Sequence, residues 1–371
     1  MKKEKKLKIA MFGHKQIPSR SGGVEVVVEE LSVRMAQLGH EVTCYNRGGA
    51  KMCDQGVRIK TVPTIPVKGL SAVISAFFAA ISVAFSRADV CHIHAEGPAF
   101  MSFLPKRFGK RVIVTIHGLD WQREKWGGFG AAFIRMGEKM AVRFADEIIV
   151  LSRHAQEYFR RAYGRTTHYI PNGVTKPTVR PPQRIRAQLG LQGGDYILYL
   201  GRLVPEKGVH DLIGAFKGLK TDKHLVIAGA SSDTDAYVKE LKALSCGDDR
   251  ILFTGFVQGA LLEELYSNAY LYVLPSILEG MPLSLLEAMS YGCCCVVSDI
   301  PECTEVTGDR AAVFPKGDAQ ALRHTLQTLC DDPRRAEHFR RGARDFVRGR
   351  YDWDEVTQKT LELYYENSDR Q

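Results

Sequence analysis

Short apolar runs alternate with helically patterned stretches along this chain, and the series occurs twice. The first set of strand candidates is Lys8–Phe12, Glu41–Tyr45, Asp89–Ile93, Val112–Ile116 and Glu147–Leu151. The second is Tyr196–Leu200, His224–Ala228, Arg250–Phe253, Tyr270–Leu274 and Cys294–Ser298. Strands that alternate with helices build βαβ units and parallel sheets. The first helix is legible in detail. Val24, Val27, Val28, Leu31, Met35 and Leu38 share one face, and Gly39 stands as its C′ stop.

Between the two series lies a stretch without periodicity. It contains Gly173, Pro177, Pro181 and Pro182, residues that punctuate structure. The expected division is a domain over 1–172, a linker over 173–190 and a second domain over 191–351, with a last helix over 352–367. A chain of 371 residues suits two domains of ordinary size. In doubly wound sheets ligands sit beyond the carboxyl ends of the strands, so the loops leaving strands are the ones to search.

Two such loops carry chemistry. After Tyr196–Leu200 comes Gly201-Arg202-Leu203-Val204-Pro205-Glu206-Lys207-Gly208. Arg202 offers a planar fork and Lys207 a point charge, a pairing that suits a diphosphate. Gly208 lets backbone approach a ligand. The competing reading is a surface loop in which Glu206 neutralises Lys207. After Tyr270–Leu274 comes Glu279-Gly280-Met281-Pro282-Leu283-Ser284-Leu285-Leu286-Glu287. Pro282 suits a first helical turn. The amides of Gly280, Met281 and Leu283 can face an anion at the helix N-terminus. Carboxylates such as Glu279 and Glu287 can bind vicinal hydroxyls. Neither loop contains an Asp-x-Asp triplet or a G-x-G-x-x-G fingerprint.

These two blocks resemble the donor site of the retaining family 4 glycosyltransferases of the GT-B fold. The similarity extends to Gly22-Gly23, His117-Gly118, Ile170-Pro171-Asn172-Gly173 and Pro315-Lys316-Gly317-Asp318. The segment from Gly13 to Glu25 is similar to a capsule and exopolysaccharide subgroup. The resemblance implies an α/β fold with two Rossmann-like domains facing across a cleft, the C-terminal helix crossing back to the first domain. It implies that Arg202 and Lys207 bind a donor diphosphate and that Glu279 binds donor-sugar hydroxyls. Gly280, Met281, Pro282 and Leu283 would surround sugar and phosphate, and Glu287 would hold the ribose. Gly22 and Gly23 would close over the phosphates. His117 would lie by the donor sugar, with Asp120 toward the acceptor. Retention of configuration, no metal and no cofactor are implied likewise. Cleavage leaves a nucleoside diphosphate with added negative charge, which Lys207, Arg202 and a helix N-terminus would stabilise in place of a divalent ion. Rival readings are a GT-B-fold nucleotide-sugar epimerase and a non-catalytic nucleotide-sugar-binding protein. A dehydrogenase is disfavoured by the missing fingerprint.

Charge bears on the partner. Residues 1–175 hold 27 basic and 14 acidic side chains, a surplus of 13; the remainder hold 24 and 28. No basic run with interleaved aromatics suggests nucleic acid. An anionic membrane or a glycan or polyprenyl-diphosphate-linked acceptor is the expectation. Leu70 to Phe85 carries no charge, yet sixteen residues fall short of the ~20 that span a bilayer. A buried core helix is preferred over a monotopic membrane contact. Nine Cys without a CxxC pair fit reduced thiols, and Cys293-Cys294-Cys295 reads as buried strand. Ile9-Ala10-Met11-Phe12 is too short for a signal-peptide core. A cytoplasmic protein, peripheral on the inner face of the plasma membrane, is expected. His92-Ile93-His94-Ala95-Glu96 has the residue types of a metal set, but with no third cluster near in sequence it is read in preference as cleft-lining loop, with His94 and Glu96 on the acceptor side. Trp121 and Trp126 could stack on a sugar, meet lipid or simply pack.

Overall fold

Among the residues described by the computed structural model (5–49, 51–67, 69–123, 126–232 and 234–365), the strands gather into two separate sheets. The first contains β1 (Lys8–Phe12), β2 (Glu41–Asn46), β3 (Met52–Asp54), β4 (Val57–Thr61), β5 (Val90–His94), β6 (Arg111–Ile116), β7 (Glu147–Val150) and β8 (His168–Tyr169). Its order is β3-β4-β2-β1-β5-β6-β7-β8. All pairs are parallel except β3 with β4. The second contains β9 (Tyr196–Leu200), β10 (His224–Ala228), β11 (Ile251–Gly255), β12 (Leu271–Leu274), β13 (Cys294–Ser298) and β14 (Ala311–Phe314). It is parallel throughout, in the order β11-β10-β9-β12-β13-β14.

The chain divides into two units. One runs through Asn172 and resumes at Trp353; the other is Gly173–Asp352. Central strands read as near-continuous apolar runs because helices cover both faces of a parallel sheet. Ile197, Leu198, Val226 and Ile227 are accordingly sealed from solvent. Burial of such a side chain contributes roughly 2 kcal/mol. Cys293, Cys294 and Cys295 are likewise buried, and burial pushes the Cys294 thiol up to about 12.

In the first unit the Gly23–Gln37 helix buries Val27, Val28, Leu31 and Met35, and Gly39 turns the chain with φ 92°. Leu38, expected on the buried face, is its exposed C-cap. The final helix, Trp353–Tyr365, belongs to this unit and buries Trp353, Val356, Leu361 and Tyr364. Arg34 Nε holds Asp354 at 2.8 Å, and Arg111 Nε donates to Leu363 O at 2.7 Å.

Two expectations need correction here, and four strands add to the expected set. The stretch 173–190 is no free linker. Val174 N–H donates to Tyr351 O (2.7 Å), Arg180 pairs with Glu263, and Glu264 accepts from the amides of Arg184 and Ile185. The Arg184–Leu189 helix thereby packs on the second unit. The uncharged Leu70–Ala84 helix is only half a core helix. Its small residues, Ala76, Ala79, Ala80 and Val83, face the sheet, while Phe77 and Phe78 are exposed. Strands β3, β4, β8 and β14 were not legible: β3 is a largely exposed three-residue edge, β4 alternates buried and exposed residues between β3 and β2, β8 has two residues and β14 four.

Candidate active site

The second sheet changes direction at β9. From there the chain steps outward to β10 and β11, then crosses to β12, β13 and β14 on the other side. That is the topological switch point, where open α/β sheets bind ligands. The two loops singled out in the sequence leave the two strands that meet there.

Those loops lock together. Gly208 adopts φ 64°, and a Cβ on it would lie 2.1 Å from Pro275 O. Only glycine meets both demands. Ile277 N–H donates to Glu206 O at 2.9 Å. The Lys207 ammonium thereby reaches Glu279 and donates to its Oε1, both side chains being nearly buried. Ser276 Oγ donates to the same oxygen at 2.6 Å. The hydrogen-bonded partner of Lys207 is thus Glu279, across the sheet, rather than its neighbour Glu206. Arg202 is half-buried on the same loop, its carbonyl accepting from Tyr199 OH at 2.9 Å.

The Leu283–Ser290 helix begins beside this pair. Pro282 is its N-cap, one position earlier than a first-turn proline, and its carbonyl accepts from Leu285 N–H (3.1 Å). Met281 and Pro282 are buried, whereas Gly280 and Leu283 are partly exposed. Glu287 lies one turn inside the helix, partly exposed, and its Oε2 accepts from Tyr266 OH at 3.0 Å. Burial, then the Glu287 charge, hold that phenol well above its usual range. Lys207, Glu279 and Glu287 thus share one end of the sheet.

The first unit has a parallel arrangement at the β1/β5 junction. Gly13, at φ 112°, lies so close to β5 that a Cβ would be 2.1 Å from His94 O. The loop that follows is held by Asn46, which accepts from Ile17 N–H (3.1 Å), donates to Ile17 O (2.8 Å) and bonds His14 Nε2 (2.9 Å). It ends at Gly22, the N-cap of the first helix, with Gly23 opening that helix. Glu25 accepts from Lys15 N–H at 2.8 Å.

His117 follows β6 and is partly exposed, bonded to His94 Nδ1 at 3.1 Å. Burial pulls its pKa down to about 4 against the charges of Asp120 and Glu25, so it is a neutral ring at pH 7. Asp120 is partly exposed and holds Arg123 at 2.6 Å. His94 and Glu96, expected to line an open loop, are fully buried instead. Strand β5 runs on through His94, which turns that histidine into the sheet. His92 is buried too, bonded to Tyr364 OH (2.6 Å) and Thr115 Oγ1 (2.7 Å). Glu96 Oε2 accepts from Asp120 N–H at 2.8 Å. Burial, then the Asp120 charge and a hydrogen bond to Glu138, push its carboxyl up to about 11. Glu96 is therefore a neutral acid that supports the Asp120 turn from below. Trp121 packs on the core of this unit, with Arg135 stacked 4.6 Å from its ring centroid.

Sequence reasoning missed Ser276, Tyr266, Asn46 and Glu138. The first three are single polar residues within or beside apolar runs, with no motif around them. Glu138 accepts from Tyr158 OH (2.8 Å) and Tyr163 OH, contacts that need distant segments to meet. Two Asp-x-Asp triplets do occur away from the switch-point loops. In Asp233-Thr234-Asp235 the first residue lies outside the described residues and Asp235 opens a helix, and in Asp352-Trp353-Asp354 the last residue pairs with Arg34.

Sequence comparison bears on these two sites. Residues 21–176 match the model described as Glycosyltransferase Family 4, and residues 182–346 match Glycosyl transferases group 1. A D-inositol 3-phosphate glycosyltransferase from Xylanimonas cellulosilytica is 28% identical, over 94% of this chain and 93% of its own. Among solved structures, the sucrose-phosphate synthase of Thermosynechococcus elongatus superposes with TM-score 0.85, at 21% identity, over 97% of this chain and 99% of its own. HepE of Anabaena in complex with UDP-glucose gives TM-score 0.82 at 19% identity, over 97% and 100%. At such identities the structural likeness establishes the fold, two parallel-sheet Rossmann-like domains of the GT-B type. The chain is a glycosyltransferase. Its first half resembles the family 4 glycosyltransferases and its second half the group 1 glycosyltransferases.

Proposed function

We propose that the chain is a metal-independent, retaining hexosyltransferase that moves a sugar from a nucleotide diphosphate to a glycan or polyprenyl-diphosphate-linked acceptor in surface polysaccharide synthesis. The buried Lys207–Glu279 pair at the β9/β12 switch carries this reading. A lysine oriented by a buried carboxylate beside a helix N-terminus is a preorganised site for the charge of a leaving diphosphate. Arg202 adds a second cation on the same loop. Glu279, anchored by Lys207 and Ser276, presents its remaining oxygen to donor-sugar hydroxyls, and Glu287 receives the ribose. HepE, with the same fold, holds UDP-glucose, which supports a nucleotide-sugar donor here.

In the reaction the anomeric carbon–oxygen bond to the diphosphate breaks and the acceptor hydroxyl bonds to that carbon. The acceptor proton passes to the departing phosphate, which leaves on the face from which the acceptor attacks. Neutral His117 hydrogen-bonds the sugar rather than contributing charge. Thermal stabilisation by UDP, GDP, dTDP and ADP, on wild type and Lys207→Ala, tests the donor site. A nucleotide at 100 times its Kd should add ~2.7 kcal/mol, and the variant should lose that gain. Stabilisation by none of the four would overturn the reading.

A further inference from the structure

The Leu70–Ala84 helix presents an apolar stripe outward. Leu70, Ile74, Phe77, Phe78, Ile81 and Phe85 follow one another at i, i+4, i+7, i+8, i+11 and i+15. That spacing is one face of a helix. Leu70 is 50% exposed, Phe77 44%, Phe78 38% and Phe85 74%. The opposite face, made of small residues, is the one packed on the sheet. A helix that turned its best packing groups toward the core would bury the phenylalanines and expose the alanines; this one does the reverse. No acidic or basic residue lies in its first or last turn.

The stripe continues onto a neighbouring segment. Phe85 and Phe108 stack edge to face with centroids 4.8 Å apart, and Phe108 is 43% exposed. Around this aromatic end stand Arg87, Arg107 and Lys110. Lys110 Nζ donates to Ser86 O at 2.7 Å, which fixes its charge beside the stripe. Lys106 is there too but is paired with Asp146. A contiguous apolar surface rimmed by cations matches a bilayer with anionic headgroups: rings enter the acyl boundary and cations meet phosphate. Fifteen residues of helix are about 22 Å long, too short to cross, and no described helix is long and apolar enough to do so.

We propose that this face, formed by the Leu70–Ala84 helix with Phe85, Phe108 and the Arg87, Arg107 and Lys110 rim, docks the first unit on an anionic lipid surface, with the helix lying in the interface. The surface uses no residue of the donor site, so its failure and the failure of the donor reading are separable.

The test is flotation of the full chain with vesicles of mixed phosphatidylglycerol and phosphatidylcholine, against phosphatidylcholine alone, at low and high salt. Wild type should float with the anionic vesicles and weaken with salt. Phe78→Gln combined with Phe85→Gln should lower partitioning about tenfold or more. Arg87→Gln and Arg107→Gln should each lower it about fivefold. All variants should keep the wild-type melting midpoint and nucleotide response, since the altered side chains face outward. Wild type left unbound by anionic vesicles overturns the proposal. So does binding that is indifferent to the two Phe substitutions, which would make it a diffuse charge effect. Sedimentation that shows a dimer dissociated by the same substitutions, without vesicle binding, would assign the face to a second copy of the chain.

Discussion

Lys207 and Glu279 stand 72 residues apart in sequence and share a buried hydrogen bond at the ends of adjacent strands β9 and β12. Each explains the other's burial. A charge removed from water persists only when it is paired and hydrogen-bonded. The pair therefore has two roles that substitution can separate.

Lys207→Ala should lower turnover by ~100-fold or more, the usual loss when a group stabilising transition-state charge is removed. It should also cost about 3 kcal/mol of stability, because Glu279 is left buried and unpaired. Adding Glu279→Gln should recover part of that stability but none of the turnover. Denaturation and steady-state rates measured on the single and double variants decide it. A double variant no more stable than Lys207→Ala would count against the pairing argument.

Gly208→Ala should destabilise the second unit more than a substitution at an ordinary loop position. The left-handed backbone costs an alanine roughly 1 kcal/mol, and the Cβ would meet Pro275 O at 2.1 Å. Because the displaced loop carries Lys207, nucleotide stabilisation should fall too. A variant with wild-type melting and nucleotide response would show that the loops are not locked as described.

Glu287→Ala should chiefly raise the donor KM, since ribose is bound equally in ground and transition states. Tyr266→Phe, which removes the hydrogen bond at 3.0 Å, should move KM the same way by a smaller factor. A large drop in saturated rate at unchanged KM would reject ribose binding.

Glu96 sets a pH dependence. Its folded pKa is raised to about 11 from an ordinary 4.5. Above pH 4.5 the unfolded chain gives up a proton that the folded state keeps, so stability declines as pH rises toward 11. Glu96→Gln keeps an oxygen for Asp120 N–H and has no proton to lose. Its melting midpoint should fall less between pH 5 and pH 9 than that of wild type, a window chosen inside those two values. Parallel curves for the two proteins would mean that Glu96 is ionised in the fold.

On the proposed mechanism, in which Lys207, Arg202 and the helix N-terminus supply the positive charge, chelation should leave the transfer rate unchanged. Activity lost in EDTA and restored by a divalent cation would reject this.

Much of this protein is determined locally. Strands β1, β9, β10 and β13 follow from continuous apolar runs, and the two switch-point loops from punctuation by Gly and Pro between strand and helix. Arg202, Lys207, Glu279 and Glu287 stand out as candidates because their loops combine rare residue types at fixed spacing. What the tertiary structure decided is which of these meet, and what is buried. Lys207 pairs with Glu279 rather than Glu206 because parallel pairing of β9 with β12 sets their loops side by side. His94 lies under the surface because β5 continues through it past the point where apolarity stops, and Glu96 because the short helix it opens packs against the Gly128–Phe144 helix. The Leu70–Ala84 helix shows the same limit: its composition marks it as apolar, but only packing against the sheet selects the alanine face for the core and leaves the phenylalanines outside. Period and composition are properties of neighbours in sequence; pairing, burial and proton affinity depend on segments that are remote until the chain has folded.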